Sequence, residues 1–191
     1  MRKLVVATGN PGKLKEMQEY LTGLPWELEL KPADIDIEET GTTFVANARI
    51  KATEVAKALG KWAIADDSGL MVDALDGSPG IYSARYGKDD RDRINRLLRE
   101  LGDTDNRQAK FVCAVAIASP DGKIALETEG VCPGEILTEP QGNGGFGYDP
   151  IFYVPSQKQT FAQMSSETKG EVSHRGVAFA QLMPDLQKLS E

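Results

Sequence analysis

Histidine and cysteine are scarce in this chain. It has one histidine and two cysteines in 191 residues. Cys113 and Cys132 have no metal-motif spacing and read as reduced thiols, with Cys113 inside a buried strand, which fits a cytoplasmic protein. Long apolar runs are missing too. The run Leu4–Ala7 is too short for a signal peptide or a membrane span, and no later stretch approaches ~20 apolar residues, so no membrane association is expected. Positive charge is in deficit, with 22 Lys and Arg against 29 Asp and Glu and a net charge of −7. That balance argues against a nucleic-acid partner, which needs a basic face. A small polyanion remains admissible, because a few local lysines and a divalent cation can invert the field of a cleft. Internal repeats and low-complexity segments are also absent. What remains is an ordinary globular composition, 40% hydrophobic and 27% charged, read as a single domain over residues 1–191.

Local patterns predict an α/β fold. Leu4–Ala7 reads as a strand and Lys13–Leu21 as a helix with Leu14, Met17 and Leu21 on one face. The segment "IDIEETGTTF" begins as an alternating strand and breaks at Gly41. Apolar residues at 44, 48, 52, 55 and 59 predict an amphipathic helix from Phe44 to Gly60. "WAIADDSGLMV" reads as a buried strand interrupted at Asp66–Gly69, and "GSPGIYSARYG" as an irregular loop. Arg91–Leu101 is helical, burying Ile94, Leu97, Leu98 and Leu101, and a hairpin turns at Pro120-Asp121-Gly122. After the glycine-rich "QGNGGFGYDP", "IFYV" returns to the sheet. The last helix has Ser173 as its cap and a kink or restart at Pro184. The alternation implies a mixed sheet layered with helices.

The stretch "ATGNPGK" is neither of the two standard phosphate loops, yet its chemistry suits an anion. Asn10 is a good N-cap and Pro11 suits the first helical position. The amides of Gly12 and Lys13 then point outward at the positive helix end, and Lys13 adds a full charge; the alternative is an ordinary capped helix. In "ADDSG", two adjacent carboxylates after an apolar strand need solvent or a cation, unless they form an Asp-rich turn. One of them is structural and the other faces a cleft, or both are solvated. Glu38-Glu39 offers further oxygen ligands or a solvated turn. Carboxylates without His or Cys partners favour Mg²⁺ or Mn²⁺ over Zn²⁺. Asn47 and Lys51 lie four apart beside the apolar stripe of their helix, from which Lys51 could reach a cleft. "GNGGFGYDP" permits close backbone approach and sets Phe146 and Tyr148 where aromatics could flank a base. "SHRG" places His174 and Arg175 at a helix start, following Lys169, as a local donor cluster. Together these features suggest a Mg²⁺-dependent nucleotide enzyme.

"ATGNPGK", "ADDSGL", "GSPGIYSARYG", "GGFGYDPIF" and "SHRG" occur in the order and spacing of the non-canonical purine NTP pyrophosphatases, and the chain resembles the bacterial branch of that Ham1, or inosine triphosphate pyrophosphatase, family from residue 3 to about residue 189. The resemblance implies hydrolysis of ITP, dITP and XTP to the monophosphate and pyrophosphate, cleansing the nucleotide pool. It implies a long mixed sheet flanked by helices, two lobes with a central cleft, and a homodimer. It makes Asp67 the proton acceptor and a metal ligand, with Glu38 as the second ligand and Mg²⁺, or Mn²⁺ in its place, as the metal. Thr8, Gly9, Asn10, Pro11, Gly12 and Lys13 match substrate-binding positions, mainly for the phosphates. Ser68, Phe146, Gly147, Tyr148, Asp149, Lys169, His174 and Arg175 match further substrate positions, and Lys51, from its helix spacing and unless it is simply solvated, completes the expected substrate site. The alternatives are a non-catalytic nucleotide sensor and a Maf-like pyrophosphatase of other nucleotides.

Overall fold

The computed structural model of the chain describes residues 2–189. Its strands form one seven-stranded sheet in the order β2-β1-β3-β4-β5-β6-β7. These are β1 (Arg2–Val6), β2 (Trp26–Leu30), β3 (Trp62–Val72), β4 (Gln108–Ala118), β5 (Ile124–Ile136), β6 (Phe152–Val154) and β7 (Gln159–Thr160). The sheet is mixed: β1 runs parallel to β2 and β3, whereas β6 is antiparallel to β5 and β7. The helices are α1 (Pro11–Leu21), α2 (Phe44–Leu59), α3 (Asp90–Leu101), α4 (Ser166–Val172) and α5 (His174–Leu189).

The chain divides into two compact units. The first comprises the residues up to Asp67, Cys113–Gly130 and those from Arg175 onward. Its core packs Leu4, Val6, Ile64, Cys113, Val115 and Ile117 of the strands against Met17 and Leu21 of α1 and Phe179, Leu182 and Leu186 of α5. The alternation of strand side chains explains that list, since Leu4 and Val6 share one face of β1 and Ile64 shares it on β3. The second unit comprises Ser68–Val112 and Val131–His174. It buries Leu70, Ile94, Leu97, Phe111, Ile136, Tyr148, Phe152 and Phe161 together.

Most predicted elements form as expected, and the exceptions have physical reasons. β3 is continuous over eleven residues, with no interruption at Asp66–Gly69, because both carboxylates find cationic or amide partners inside the fold. Residues 33–42 form neither helix nor strand, so the strand expected at "IDIEE" is absent. The strand beside β1 is β2 instead, whose alternating Trp-Glu-Leu-Glu-Leu carried the signal. "GIYSAR" is a 3₁₀ turn rather than an irregular loop. α5 continues through Pro184 without a break. α4 is an additional short helix that ends at Val172, with Ser173 as its C-cap immediately ahead of α5.

Candidate active site

In the first unit the chemistry gathers around Asp66 and Asp67, at the middle of β3. Successive strand residues face opposite sides of a sheet, and the partners of the two carboxylates differ accordingly. Asp66, 1% exposed, takes Lys13 Nζ at 3.1 Å and Arg175 Nη2 at 3.0 Å, both on Oδ2, and Cys113 Sγ lies 3.8 Å from the same oxygen. Its Oδ1 is buried with no hydrogen-bond partner among the described residues. Burial pushes the Asp66 proton affinity up, but Lys13, Arg175 and Lys51 outweigh it and hold the carboxyl well below the usual range.

Asp67 is served by α2. Asn47 Nδ2 donates to Asp67 Oδ2 over 3.2 Å, and Lys51 Nζ stands 3.9 Å from Oδ1. The spacing of four that the sequence displays puts both side chains on one helix face. Burial dominates here and raises the Asp67 carboxyl to about 6, with Lys51, Lys13 and Asn47 opposing it and Glu39 adding to it. Lys51 also pairs with Glu39 at 3.0 Å. Glu38, expected as the second ligand, is exposed, and the structure turns Glu39 toward Lys51 instead. The register was not legible because residues 33–42 follow no strand alternation. The segment is pinned by its backbone: the N–H of Gly41 donates to Asn47 Oδ1 over 2.8 Å. A Cβ on Gly41 would lie 2.6 Å from that oxygen, so only glycine permits the approach. Asn47 therefore joins the loop to Asp67, a role that the sequence showed only as a helix-face position.

The residue types here suit a divalent cation. Among the described residues no three His, Cys, Asp or Glu side chains converge, so the protein alone does not cage an ion. Mg²⁺ needs only one or two carboxylates and completes its shell with water and substrate phosphates. Asp67, whose raised proton affinity marks a charge not fully balanced, fits that demand, with Glu39 at the same ammonium.

The opening loop corrects one expectation. The amides of Gly12 and Lys13 do not point free toward an anion: both donate to Asn10 Oδ1, at 2.9 and 3.1 Å. Asn10 is the N-cap, as its sequence position foretold, and a cap works by consuming those donors. The N–H of Asn10 goes to Thr8 Oγ1 at 3.1 Å. Gly9, Asn10 and Pro11 are exposed, and the charge of this turn resides in Lys13.

The "SHRG" pair also departs from a joint donor cluster. Arg175, 1% exposed, donates through Nη1 to Glu16 Oε2 at 2.6 Å and through Nη2 to Asp66. These two carboxylates fix where the guanidinium stands.

In the second unit His174 is buried and lies flat on Phe111, with ring centroids 4.6 Å apart. Here too the loop Phe146–Asp149 closes on itself. Asp149 Oδ2 accepts the Phe146 N–H at 3.0 Å and Lys169 Nζ at 2.7 Å. Lys169, on α4, sets its ammonium 4.9 Å from the Phe146 ring centroid. Tyr148 and Asp149 are buried, whereas Phe146 and Gly147 are half-exposed. Gly145 has a φ of 70°, and a Cβ there would fall 2.0 Å from Asp149 Oδ2. Ser68 is half-buried at the point where β3 enters this unit.

Residues 4–185 match the model of the Ham1 family. A protein of Nostoc sp. named dITP/XTP pyrophosphatase is 67% identical over 183 residues, covering 96% of this chain and 93% of that one. A protein of the same name from Synechocystis sp. is 60% identical, covering 96% and 94%. The Ham1 protein structure from Coxiella burnetii superposes with a TM-score of 0.89 at 44% identity, covering 98% of this chain and all of that one. The Staphylococcus aureus Ham1 protein gives 0.88 at 43%, with the same coverage. Similarity of this depth over nearly the whole length, with the quoted segments inside the matched span, makes this chain a member of the Ham1 family.

Proposed function

We propose that this protein hydrolyses the non-canonical purine nucleoside triphosphates dITP, XTP and ITP to the monophosphate and pyrophosphate, removing them from the nucleotide pool. The observation that carries the reading is Asp67, a buried carboxylate with its proton affinity raised to about 6, set beside Lys51 in a chain whose relatives are named for this activity.

For pyrophosphate to leave, water must attack the α-phosphorus. Lys13 and Lys51 carry the positive charge that a triphosphate requires, and Lys13 exchanges part of its Asp66 contact for phosphate oxygens. Asp67, with Asn47 holding one oxygen, presents the other to orient the attacking water or to accept its proton. A carboxyl raised to about 6 is ionised at neutral pH and is still a better base than a solvated aspartate. Mg²⁺, or Mn²⁺ in its place, would be held by Asp67 and Glu39, neutralising the triphosphate and acidifying the water when bound. The purine falls to Phe146, with Lys169 and His174 as donors toward its C6 oxygen. A donor aimed at C6 meets an amino group in adenine, so ATP is a poor substrate. Arg175, held by Glu16 and Asp66, is a further donor at any working pH. Cytoplasmic residence, supported by two buried free thiols, and a homodimer belong to the same proposal.

The test is incubation with ITP, dITP, XTP, GTP and ATP in the presence of Mg²⁺, measuring pyrophosphate and orthophosphate separately. Equal yields of monophosphate and pyrophosphate from the first three are expected. Diphosphate with orthophosphate as the primary products would overturn the proposal, and binding without turnover would make the protein a sensor.

A further inference from the structure

The loop that carries Phe146 is tied at two adjacent residues to one segment of the same unit. The backbone N–H of Gly147 donates to Asp90 Oδ2 over 2.9 Å. Tyr148 Oη donates to the carbonyl of Ser83 over 2.7 Å, in the buried interior. Both anchors are themselves fixed. Ser83 Oγ accepts the N–H of Leu70 at 2.9 Å and donates to the carbonyl of Gly80 at 2.6 Å. Asp90 Oδ1 takes Arg93 Nη1 at 2.7 Å, and Arg93 Nε is held by the carbonyl of Ala84 at 3.0 Å.

Asp90 is not needed to cap its own helix. The N-cap of α3 is Asp89, whose side chain accepts the N–H of Asp92 at 2.8 Å. Asp90 is the next residue, and it sends one oxygen out to a loop 57 positions away in sequence. That loop is rich in glycine and would otherwise sample many conformations. With the clamp in place Phe146 is bracketed. Its own N–H is held by Asp149, the N–H of the following residue by Asp90, and the side chain after that by Ser83.

We propose that Asp90 is a positioning residue for base recognition, its carboxylate fixing the Gly147 N–H and with it the Phe146 platform before substrate arrives. The proposal rests on the reading above that this loop takes the purine. A loop ordered in advance lowers the cost of binding, whereas one ordered by the substrate adds that cost to KM and leaves the chemical step alone.

Asp90→Ala tests it, with kcat and KM for ITP, inhibition by inorganic pyrophosphate, Tm and the amide exchange rate of Gly147 as readouts. Pyrophosphate carries no base and serves as the internal control. Loss of a hydrogen bond to a charged acceptor predicts a KM for ITP about tenfold higher, with kcat and pyrophosphate inhibition within about twofold of wild type. The Gly147 amide should exchange faster. A KM for ITP within about twofold of wild type overturns the proposal. So does a parallel weakening of ITP and pyrophosphate, or a fall in Tm with KM unmoved, which would make Asp90 merely structural. Wild-type protein that fails to turn over ITP brings down the purine reading and this proposal with it. Wild-type turnover with an unaffected Asp90→Ala brings down the proposal alone.

Discussion

Lys13 Nζ stands 3.1 Å from Asp66 Oδ2, so the lysine of the opening loop is already matched by a carboxylate buried in β3. The same oxygen also holds Arg175. Asp66 is thus the counter-charge for two cations, and the neighbouring Asp67 is left as the carboxylate available for chemistry.

Replacing Asp66 by Asn should therefore damage the fold first. It strands the ammonium of Lys13 without its anion and leaves the buried guanidinium of Arg175 with Glu16 alone, and breaking a buried pair costs roughly 3–5 kcal/mol. Thermal denaturation should show a Tm lower by on the order of 10 °C, given about 2–4 °C per kcal/mol at this chain length. A Tm within about 2 °C of wild type would show that the pair is not structural.

Asp67→Asn should behave in the opposite way. The carboxylate is buried with its charge only partly compensated, so its removal leaves stability unchanged or slightly higher. Turnover of ITP should fall by ~10²–10⁴, the usual worth of a general base. A mutant retaining more than about a tenth of wild-type kcat would take that role from Asp67.

The same carboxyl predicts a pH dependence in metal-free protein. Its folded value, about 6, lies above the ordinary value of 3.8, so between those limits the folded state binds more protons than the unfolded one. Stability contributed by Asp67 is present at low pH and lost as pH rises from about 4 to about 6, and the dependence flattens above that. Urea denaturation of wild type and Asp67→Asn across this window, with chelator present, should show wild type losing ground to the variant as pH rises. Parallel curves would contradict the raised value.

Gly145→Ala should cripple the loop proposed to take the base. The new methyl group meets Asp149 Oδ2 at 2.0 Å on a backbone with φ 70°, so Asp149 must move and loosen from Lys169 and the Phe146 N–H. Backbone strain alone costs roughly 1–2 kcal/mol. We expect a higher KM for ITP together with a lower Tm, and unchanged values for both would show that the loop adapts.

Neither thiol should react in the native state. Burial pushes Cys113 up to about 12 and Cys132 up to about 11, leaving almost no thiolate at pH 8. A colorimetric disulfide reagent should titrate both only after denaturation. Rapid labelling of either in folded protein would refute the burial.

Features that rest on neighbouring residues were legible in the sequence. The Asn10 cap with Pro11 behind it, the apolar stripe of α2 up to Gly60, and the turn between β4 and β5 all form where local chemistry places them. β2 alternates over only five residues, and the seven-residue α4, capped by Ser165, offers no apolar period to detect. The candidate residues Lys13, Lys51, Asp67, Asp149 and Lys169 could be named from sequence, but their pairings could not.

By itself the sequence determined the family, most of the longer elements and the inventory of charges. The tertiary structure decided which charge faces which. Asp66 and Asp67 are adjacent in sequence and look alike, yet the pleat of β3 sends them to different partners, Lys13 and Arg175 for one, Asn47 and Lys51 for the other. Those partners lie up to 109 positions away, and it is their distance and burial that set one carboxyl low and the other near 6.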